Sequence, residues 1–133
     1  LVKEINLLSK YPKSKRNLDE RNTNKSEQNV LIARKFGKEF FDGERKYGYG
    51  GLSYNSKYWT EVVKDFVNYY NLKPGSKVLD VGCAKGFMLF DLKRQYPEIE
   101  IKGIDISDYA IENSHPEIKN FLSVGDAKKL EFD

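Results

Sequence analysis

The sequence alternates between strand-like and helix-like patterns over residues 77–124, and this alternation limits the possible folds more than any other feature. Three short β-branched and aliphatic runs predict strands, Lys77–Val81, Ile99–Ile106 and Phe121–Val124. Helical periodicity over Gly86–Tyr96 ends at Pro97, and a short second helix is predicted through Ala110 and Ile111, capped by Ser107 or Asp108. Alternating units of this size predict an α/β fold built on a parallel sheet with right-handed crossovers.

The N-terminal region is more polar and more basic than the rest of the chain. A length of 133 residues suits one domain with one core. Residues 1–50 carry 12 Lys and Arg against 7 Asp and Glu, whereas the whole chain has a formal net charge of +3. Tyr11–Asn29 is nearly all polar, which predicts an extended or mobile arm. We therefore divide the chain into a basic arm, residues 1–29, and one domain, residues 30–133. The arm is interpreted as solvated, and contact with phosphate or another anionic surface stays open.

Two helices and a glycine-rich loop are predicted between the arm and the first strand. Val30–Phe41 predicts a short helix, and Trp59–Tyr70 predicts an amphipathic helix with Ser56 as its N-cap. Between them, Arg45–Tyr54 holds three glycines and three tyrosines, which predicts a loop. We expect this loop to cover a ligand, with Tyr47 and Tyr49 in contact with it. The alternative is that its tyrosines pack on the amphipathic helix.

Acidic residues lie at or near the end of each predicted strand, the edge at which open α/β sheets bind ligands. Asp80 precedes a turn in which Gly82 and Gly86 let the backbone approach a ligand closely. Asp105 ends the second strand about 20 residues further on, where nucleotide sites place a ribose-binding carboxylate. Asp126 follows the third strand, in a position to meet an adenine amino group. Each feature also has a purely structural interpretation: an ordinary strand-to-helix turn, a helix cap and a turn aspartate.

Together these residues resemble the motifs of class I methyltransferases, which use S-adenosylmethionine (SAM). In that family an acid precedes Gly-x-Gly-x-Gly after strand one; here Asp80 precedes Gly82, Ala84 and Gly86, with alanine in place of the middle glycine. The similarity continues at Asp105 and at the Asp-Ala pair after strand three. The Tyr-Gly-Tyr-Gly-Gly run that begins at Tyr47 resembles a bacterial subgroup. The resemblance covers roughly residues 36–132, and none is recognised in the first 30.

The resemblance implies a fold, a cofactor and a set of contacts. The fold is a Rossmann-like, doubly wound parallel sheet with strand order 3-2-1-4-5-7-6, of which this chain supplies strands 3-2-1. SAM is the implied cofactor and S-adenosylhomocysteine (SAH) its product. Asp80, Gly82, Ala84 and Gly86, with Cys83 between them, line the methionine end of SAM. Asp105 holds the ribose, Ile106 lies against the adenine, and Asp126 and Ala127 meet the adenine edge.

A nicotinamide dinucleotide is the rival ligand. Its binding sites require G-x-G-x-x-G, whereas this turn has Gly82-x-x-x-Gly86. Asp80 stands before the glycines, where a carboxylate repels a pyrophosphate but attracts the ammonium group of SAM. We therefore favour SAM.

Other chemistry has little support in the sequence. Cys83 is interpreted as inert, although Lys85 lies close to it in sequence, and His115 as a loop residue. One Cys and one His do not build a zinc site, so we expect no metal. A single cysteine fits a reducing cytoplasm, and no apolar run approaches the roughly 20 residues of a membrane span. We therefore expect a cytoplasmic protein.

These features predict SAM-dependent methyl transfer to an unidentified acceptor, either a small molecule or a glycan precursor. We expect no nucleic-acid partner, although the basic arm leaves one open. In the family, the acceptor pocket and any general base come from strand four onward, so no catalytic residue is assigned. The chain is therefore interpreted as incomplete, with strand one as an uncovered edge that promotes self-association. A non-catalytic SAM-binding or interaction fragment is the alternative.

Overall fold

The computed structural model describes residues 2–13, 18–23 and 25–130. Six α-helices and three β-strands are described. The helices are α1 Leu18–Thr23, α2 Glu27–Ala33, α3 Lys38–Asp42, α4 Ser56–Tyr70, α5 Phe87–Gln95 and α6 Asp108–Glu112. The strands are β1 Lys77–Val81, β2 Glu100–Asp105 and β3 Leu122–Val124. Two short 3-10 helices cover Arg45–Tyr47 and Lys119–Phe121.

The N-terminal arm is more regular than the sequence predicted. The described part of Tyr11–Asn29 contains α1 and the first turn of α2, where the Ser26 side chain accepts a hydrogen bond from the Asn29 backbone N–H at 3.1 Å. The expectation of an extended arm was therefore wrong for these segments. Acidic residues in the first turn of α1 complement the helix dipole.

Contacts with α4 also hold the start of the arm. The Tyr11 ring lies with its centroid 5.2 Å from those of Tyr58 and Trp59, and Lys10 Nζ lies 2.9 Å from an Asp65 carboxylate oxygen. Burial of the aromatic faces offsets part of the entropy lost on ordering the arm.

The single helix predicted over Val30–Phe41 is two helices. Helix α2 ends at Ala33, and the chain turns through Phe36, whose φ of 49° lies in the left-handed region, before α3 begins at Lys38. A phenylalanine in that region is uncommon and interrupts any continuous helix. The interruption turns Phe36 and the rings of α3 toward the sheet edge described below.

Helix α4 confirms the predicted amphipathic helix, with a correction at its N-cap. Asn55 is the cap, and its side chain accepts a hydrogen bond from the Lys57 backbone N–H at 3.0 Å, whereas Ser56 is the first helical residue. Val62, Val63 and Val67 are its buried residues. The helix ends at Tyr70, and the C-cap Asn71 adopts the left-handed conformation common at helix ends.

The three strands form one parallel sheet in the order β1-β2-β3, which confirms the predicted fold class. In this register Asp80 lies beside Gly103, and Asp105 lies beside Val124. Because all three strands run the same way, their carboxyl ends share one edge of the sheet.

The core lies where the sheet meets its helices. Helix α5 contacts β2, α4 packs on α5, and α6 contacts β2, β3 and α3. Asp91 of α5 is fully buried, and its carboxylate accepts hydrogen bonds from Tyr54, from Thr60 and Arg94, and from Gln95 at 2.6 Å. These bonds tie α5 to α4 and to the end of the glycine-rich loop. Within the described residues, every helix is too short or too polar to cross a membrane.

Candidate functional site

A turn with left-handed backbone connects β1 to α5. Gly82, Ala84 and Gly86 have φ values of 81°, 51° and 77°. The backbone N–H groups of Gly82 and Cys83 both donate to the Ile104 carbonyl oxygen, at 2.8 and 3.0 Å, so β2 fixes the start of the turn. Ala84 occupies a conformation that costs a residue with a Cβ about 1–2 kcal/mol. We call Gly82–Gly86 the glycine turn.

The two glycines of this turn have different surroundings. A Cβ placed on Gly82 would meet no atom within 4 Å, so this residue faces open space. A Cβ on Gly86 would lie 2.5 Å from Ile118 Cδ1 and 2.7 Å from Leu122 Cδ1. Gly86 is therefore required for packing between the start of α5 and β3, whereas Gly82 leaves room for a ligand. Both were predicted as cofactor contacts, and only Gly82 borders the pocket described next.

A pocket of about 210 Å³ lies against the glycine turn and the end of β2. Its floor comes from Gly82, Ala84, Asp105 and Ile106, all of them predicted site residues. Its other side is built from aromatic side chains of the N-terminal region, which we call the aromatic wall: Phe36, Phe40, Phe41 and Tyr49.

The aromatic wall is the part of the site that the sequence analysis largely missed. It anticipated Tyr49 but placed the three phenylalanines in an ordinary helix. In the structure, the Tyr49 ring stacks on Phe41 with a centroid distance of 5.8 Å and meets Phe40 edge-on at 5.3 Å. The signal available was three phenylalanines within six residues, directly before a glycine-rich loop in an otherwise polar region.

Main-chain hydrogen bonds hold the aromatic wall together. The Tyr49 N–H donates to the Phe40 carbonyl oxygen at 2.9 Å, and the Gly51 N–H donates to that of Phe41 at 3.0 Å. The Ser107 hydroxyl donates to the Phe36 carbonyl oxygen, which ties the wall to the residues after β2. The wall is therefore one docked unit and not a set of independent side chains.

Asp105 is fixed by the backbone on both of its carboxylate oxygens. Oδ2 accepts from the Ala84 N–H at 2.8 Å, and Oδ1 accepts from the Ser107 N–H at 2.9 Å. A carboxylate offers about four lone-pair positions. Asp105 therefore keeps acceptor capacity toward the pocket while its orientation is set in advance.

Asp105 places negative charge at the pocket floor, and Asp80, which lies outside the pocket lining, is a second acid close to it. Burial, and then the charge of Asp105, raise the pKa of the Asp80 carboxyl. No hydrogen bond or ion pair joins Asp80 to another side chain among the described residues. Two neighbouring carboxylates without a cation between them attract a positively charged group and repel an anion.

Cys83 lies behind the floor and not in the pocket. Its side chain is 7% exposed and packs in the core. Burial, with the charges of Asp80 and Asp105, raises the pKa of its thiol to about 12. The thiol is therefore protonated at neutral pH, in agreement with the interpretation that it is inert.

Lys85 does not activate Cys83, because it pairs elsewhere. Its Nζ lies 2.8 and 2.7 Å from the two carboxylate oxygens of Asp42. Burial alone raises the pKa of the Asp42 carboxyl, but hydrogen bonds from Lys85, Tyr109 and Leu52 outweigh burial, and the net shift is downward. The Lys85 charge is thereby neutralised beside the pocket and does not offset the negative floor.

Other predicted site residues lie outside the pocket lining. Asp126 Oδ1 accepts a hydrogen bond from the Lys128 N–H at 2.9 Å. This bond is typical of a turn aspartate, which was the structural interpretation of Asp126. Ala127 is exposed. Tyr47 is half-buried at the end of the 3-10 helix that begins the glycine-rich loop. His115 stacks on Phe90 with a centroid distance of 3.6 Å. Cofactor contacts for Asp126, Ala127 and Tyr47 remain predictions.

The sequence of this region matches a known family. Residues 72–132, which include the glycine turn and all three strands, match a family described as a methyltransferase domain. Over this segment the chain is therefore similar to methyltransferase domains. The match confirms the resemblance to class I methyltransferases and SAM as the cofactor of this domain type.

Known methyltransferases align with the same part of the chain. A phosphoethanolamine N-methyltransferase of Triticum aestivum is 39% identical over 75 residues, which are 53% of this chain and 14% of that protein. Ribosomal RNA small subunit methyltransferase C of Stutzerimonas stutzeri is 42% identical over 41 residues, 31% of this chain and 12% of that protein. The chain thus spans less than a sixth of the length of these relatives.

Solved structures of methyltransferases are also similar. The plantazolicin methyltransferase BpumL in complex with SAH is 31% identical, with a TM-score of 0.43 over 52% of this chain and 28% of that chain.

Proposed function

We propose that the pocket between the glycine turn and the aromatic wall binds SAM, and that the whole protein transfers the methyl group of SAM to a small-molecule acceptor. One observation carries this proposal. Gly82 faces open space beside Asp105, whose carboxylate is already oriented by two backbone N–H groups. A pre-oriented carboxylate next to an open backbone suits a ligand with paired hydroxyls, such as a ribose.

The residues in and around the pocket offer a contact for each part of SAM. Asp105 accepts hydrogen bonds from the ribose hydroxyls, and Asp80 attracts the ammonium group of the methionine part. Ile106 and the aromatic wall provide apolar surfaces for the adenine ring, and Asp126 and Ala127 meet its edge. A pocket of about 210 Å³ is smaller than the roughly 300–1,000 Å³ typical of ligand sites. SAM would therefore extend beyond the pocket toward groups such as Asp80.

The charge of the site favours SAM over a dinucleotide. A pyrophosphate requires unpaired N–H groups or cations at the glycine turn. Here the N–H groups of Gly82, Cys83, Ala84 and Gly86 all donate within the protein, and Lys85 is paired with Asp42. The carboxylates of Asp80 and Asp105 add repulsion. A cationic cofactor is stabilised by the same charges.

The protein contributes alignment and exclusion of water. SAM supplies a methyl group bound to a positively charged sulfur, which is already a good leaving group. Asp105 and the glycine turn fix the position of the cofactor, and the aromatic wall keeps water from one side of it. Negative charge at Asp80 stabilises the bound cation.

The acceptor class rests on the relatives. Several plant phosphoethanolamine N-methyltransferases align with this chain, and their acceptor is a small phosphorylated amine. A ribosomal RNA methyltransferase aligns with a shorter part of the same segment. The longer alignments favour a small molecule, and a glycan precursor belongs to the same test because it also presents a hydroxyl or amine.

Calorimetry on the 133-residue chain tests the cofactor. We expect saturable binding of SAM and SAH and none of NADH. Binding of NADH without binding of SAH would contradict the proposal.

A methyl-transfer assay with the whole protein tests the acceptor class. Labelled SAM is the methyl donor, and phosphoethanolamine, nucleotide sugars and ribosomal RNA are offered as separate acceptors. Transfer to RNA alone would contradict the small-molecule proposal.

A further inference from the structure

An ion pair between a buried lysine and a partly exposed aspartate lies beside the pocket. Lys85 is 6% exposed, and its three hydrogen bonds go to both carboxylate oxygens of Asp42 and to the Leu52 carbonyl oxygen, the last at 2.7 Å. Asp42 also accepts from the Leu52 N–H at 3.0 Å and from the Tyr109 hydroxyl at 2.6 Å. The ammonium group has no donor left for a ligand, and neither charged side chain lines the pocket.

The pair joins the two sides of the pocket. Asp42 directly follows Phe41 of the aromatic wall, and Lys85 directly follows Ala84 of the floor. Leu52 belongs to the same glycine-rich loop as Tyr49, and both of its main-chain polar groups are hydrogen-bonded to the pair. The Tyr109 ring stacks on Phe41 with a centroid distance of 6.3 Å. Two segments that are 43 residues apart in sequence are thus connected at the point where they form the site.

Because of the chemistry of the pair, we expect the aromatic wall to be either docked or released, with few intermediate positions. A buried ammonium group is stable only while it is paired and fully hydrogen-bonded. When residues 42–52 move away, Lys85 loses all three partners together. The glycine turn then also loses the hydrogen bonds that keep the Lys85 side chain buried. The position of the wall and the conformation of the turn are therefore expected to change together.

We propose that the Asp42–Lys85 pair is a clasp that couples the aromatic wall to the glycine turn, so that both residues position the SAM site without contacting the cofactor. This inference rests on the proposed function, since it takes SAM or SAH as the ligand. Asp42 and Lys85 are positioning residues in this account. Their role is to populate the binding-competent arrangement before the ligand arrives.

Substitutions on each side of the pair test the clasp. Lys85→Met keeps the aliphatic stem and removes the charge, and Asp42→Asn keeps the shape and removes the opposite charge. We expect each to weaken SAH binding, measured by calorimetry, on the order of tenfold. The double variant should lose no more affinity than the more affected single variant, because both remove the same contact. Lys64→Met is the matched control, since Lys64 pairs with Glu61 on the exposed face of α4.

Hydrogen exchange without ligand separates a clasp from a general fold contact. We expect faster exchange over residues 48–52 in both single variants, with residues 101–104 of β2 unchanged. Wild-type affinity in Lys85→Met and Asp42→Asn would overturn the clasp, and so would equal loosening of β2 and of residues 48–52. If the wild-type chain binds no SAH, the proposed function fails, whereas local loosening of residues 48–52 would still be seen.

Discussion

Asp105 combines a structural and a binding role in one side chain. Its carboxylate accepts the Ala84 N–H from the glycine turn and the Ser107 N–H from the segment before α6. Both bonds orient the group and help hold Ala84 in its left-handed conformation. A ligand hydroxyl therefore meets an acceptor that needs no reorientation, which lowers the entropy lost on binding.

Substitution of Asp105 should weaken cofactor binding more than it weakens the fold. Hydrogen bonds to charged groups contribute about 1.5–3 kcal/mol, so Asp105→Ala should lower SAH affinity roughly ten- to hundredfold. Asp105→Asn keeps one acceptor oxygen and should lose less. Calorimetry checks both variants, and Asp108→Asn, an exposed acid in the first turn of α6, is the control. Equal affinities for wild type and Asp105→Ala would remove Asp105 from the site.

Cys83 should be unreactive in the folded chain and should make stability fall at high pH. Its thiol pKa is raised from 9.0 to about 12, so the folded state retains a proton that the unfolded state loses. This contribution to stability is fully present below pH 9 and is lost as pH rises toward 12. Urea unfolding at pH 8 and pH 10.5 should show a larger loss for wild type than for Cys83→Ala.

Thiol labelling provides an independent check on Cys83. A thiol reagent at pH 8 should label the native chain far more slowly than the urea-unfolded chain. Rapid native labelling would mean that the thiol is accessible and ionised, contrary to its burial in the core.

At the scale of elements, local signals predicted the floor of the site well. The β1 limits match, and β2 and α5 differ from their predictions by one residue at each end; glycines and prolines lie beside β1 and α5. The glycine turn and Asp105 could be identified from the sequence because each lies at the carboxyl end of a predicted strand. The sheet order also followed from the resemblance.

The aromatic wall could not be predicted in this way. Phe36 lies at the break between α2 and α3, and Phe41 is next to Asp42, whose partner Lys85 is 43 residues away. Neither interaction leaves a periodic pattern in the sequence. The loop tyrosines also have different surroundings. Tyr49 lines the pocket, whereas Tyr54 packs edge-on against Phe87 and Phe90 and donates a hydrogen bond to Asp91.

Tyr49 should act as part of a cover over the bound cofactor. It is 47% exposed, so a ligand can bury more of its ring. Stacking of a base on an aromatic side chain contributes about 1–3 kcal/mol, and Tyr49→Ala should weaken SAH binding by roughly fivefold or more. Tyr69→Ala on α4, where the ring is 52% exposed, is the control. SAH should also slow hydrogen exchange over residues 47–51. Unchanged exchange there, with protection at residues 82–86, would contradict the cover.

At the scale of the whole molecule, the sheet is covered unevenly. Strand β1 pairs only with β2 in the described part of the chain, and its Leu79 and Val81 side chains are 37% and 42% exposed. Parallel strands normally have both faces covered. The core instead lies under α4, α5 and α6, on the side that includes Val78 and Ile101.

The exposed apolar strand should make the 133-residue chain self-associate. An unpaired edge with aliphatic side chains can pair with a second copy, which covers both the main-chain groups and Leu79. Leu79→Lys places like charges opposite each other in such a pair, which costs several kcal/mol and should weaken association well over tenfold. Leu31→Lys, at an exposed leucine of α2 away from the sheet, should have no such effect. Sedimentation velocity across a concentration series measures both variants against wild type. A wild-type chain that stays a compact monomer at every concentration would show that β1 is protected, and the edge would then have no part in assembly.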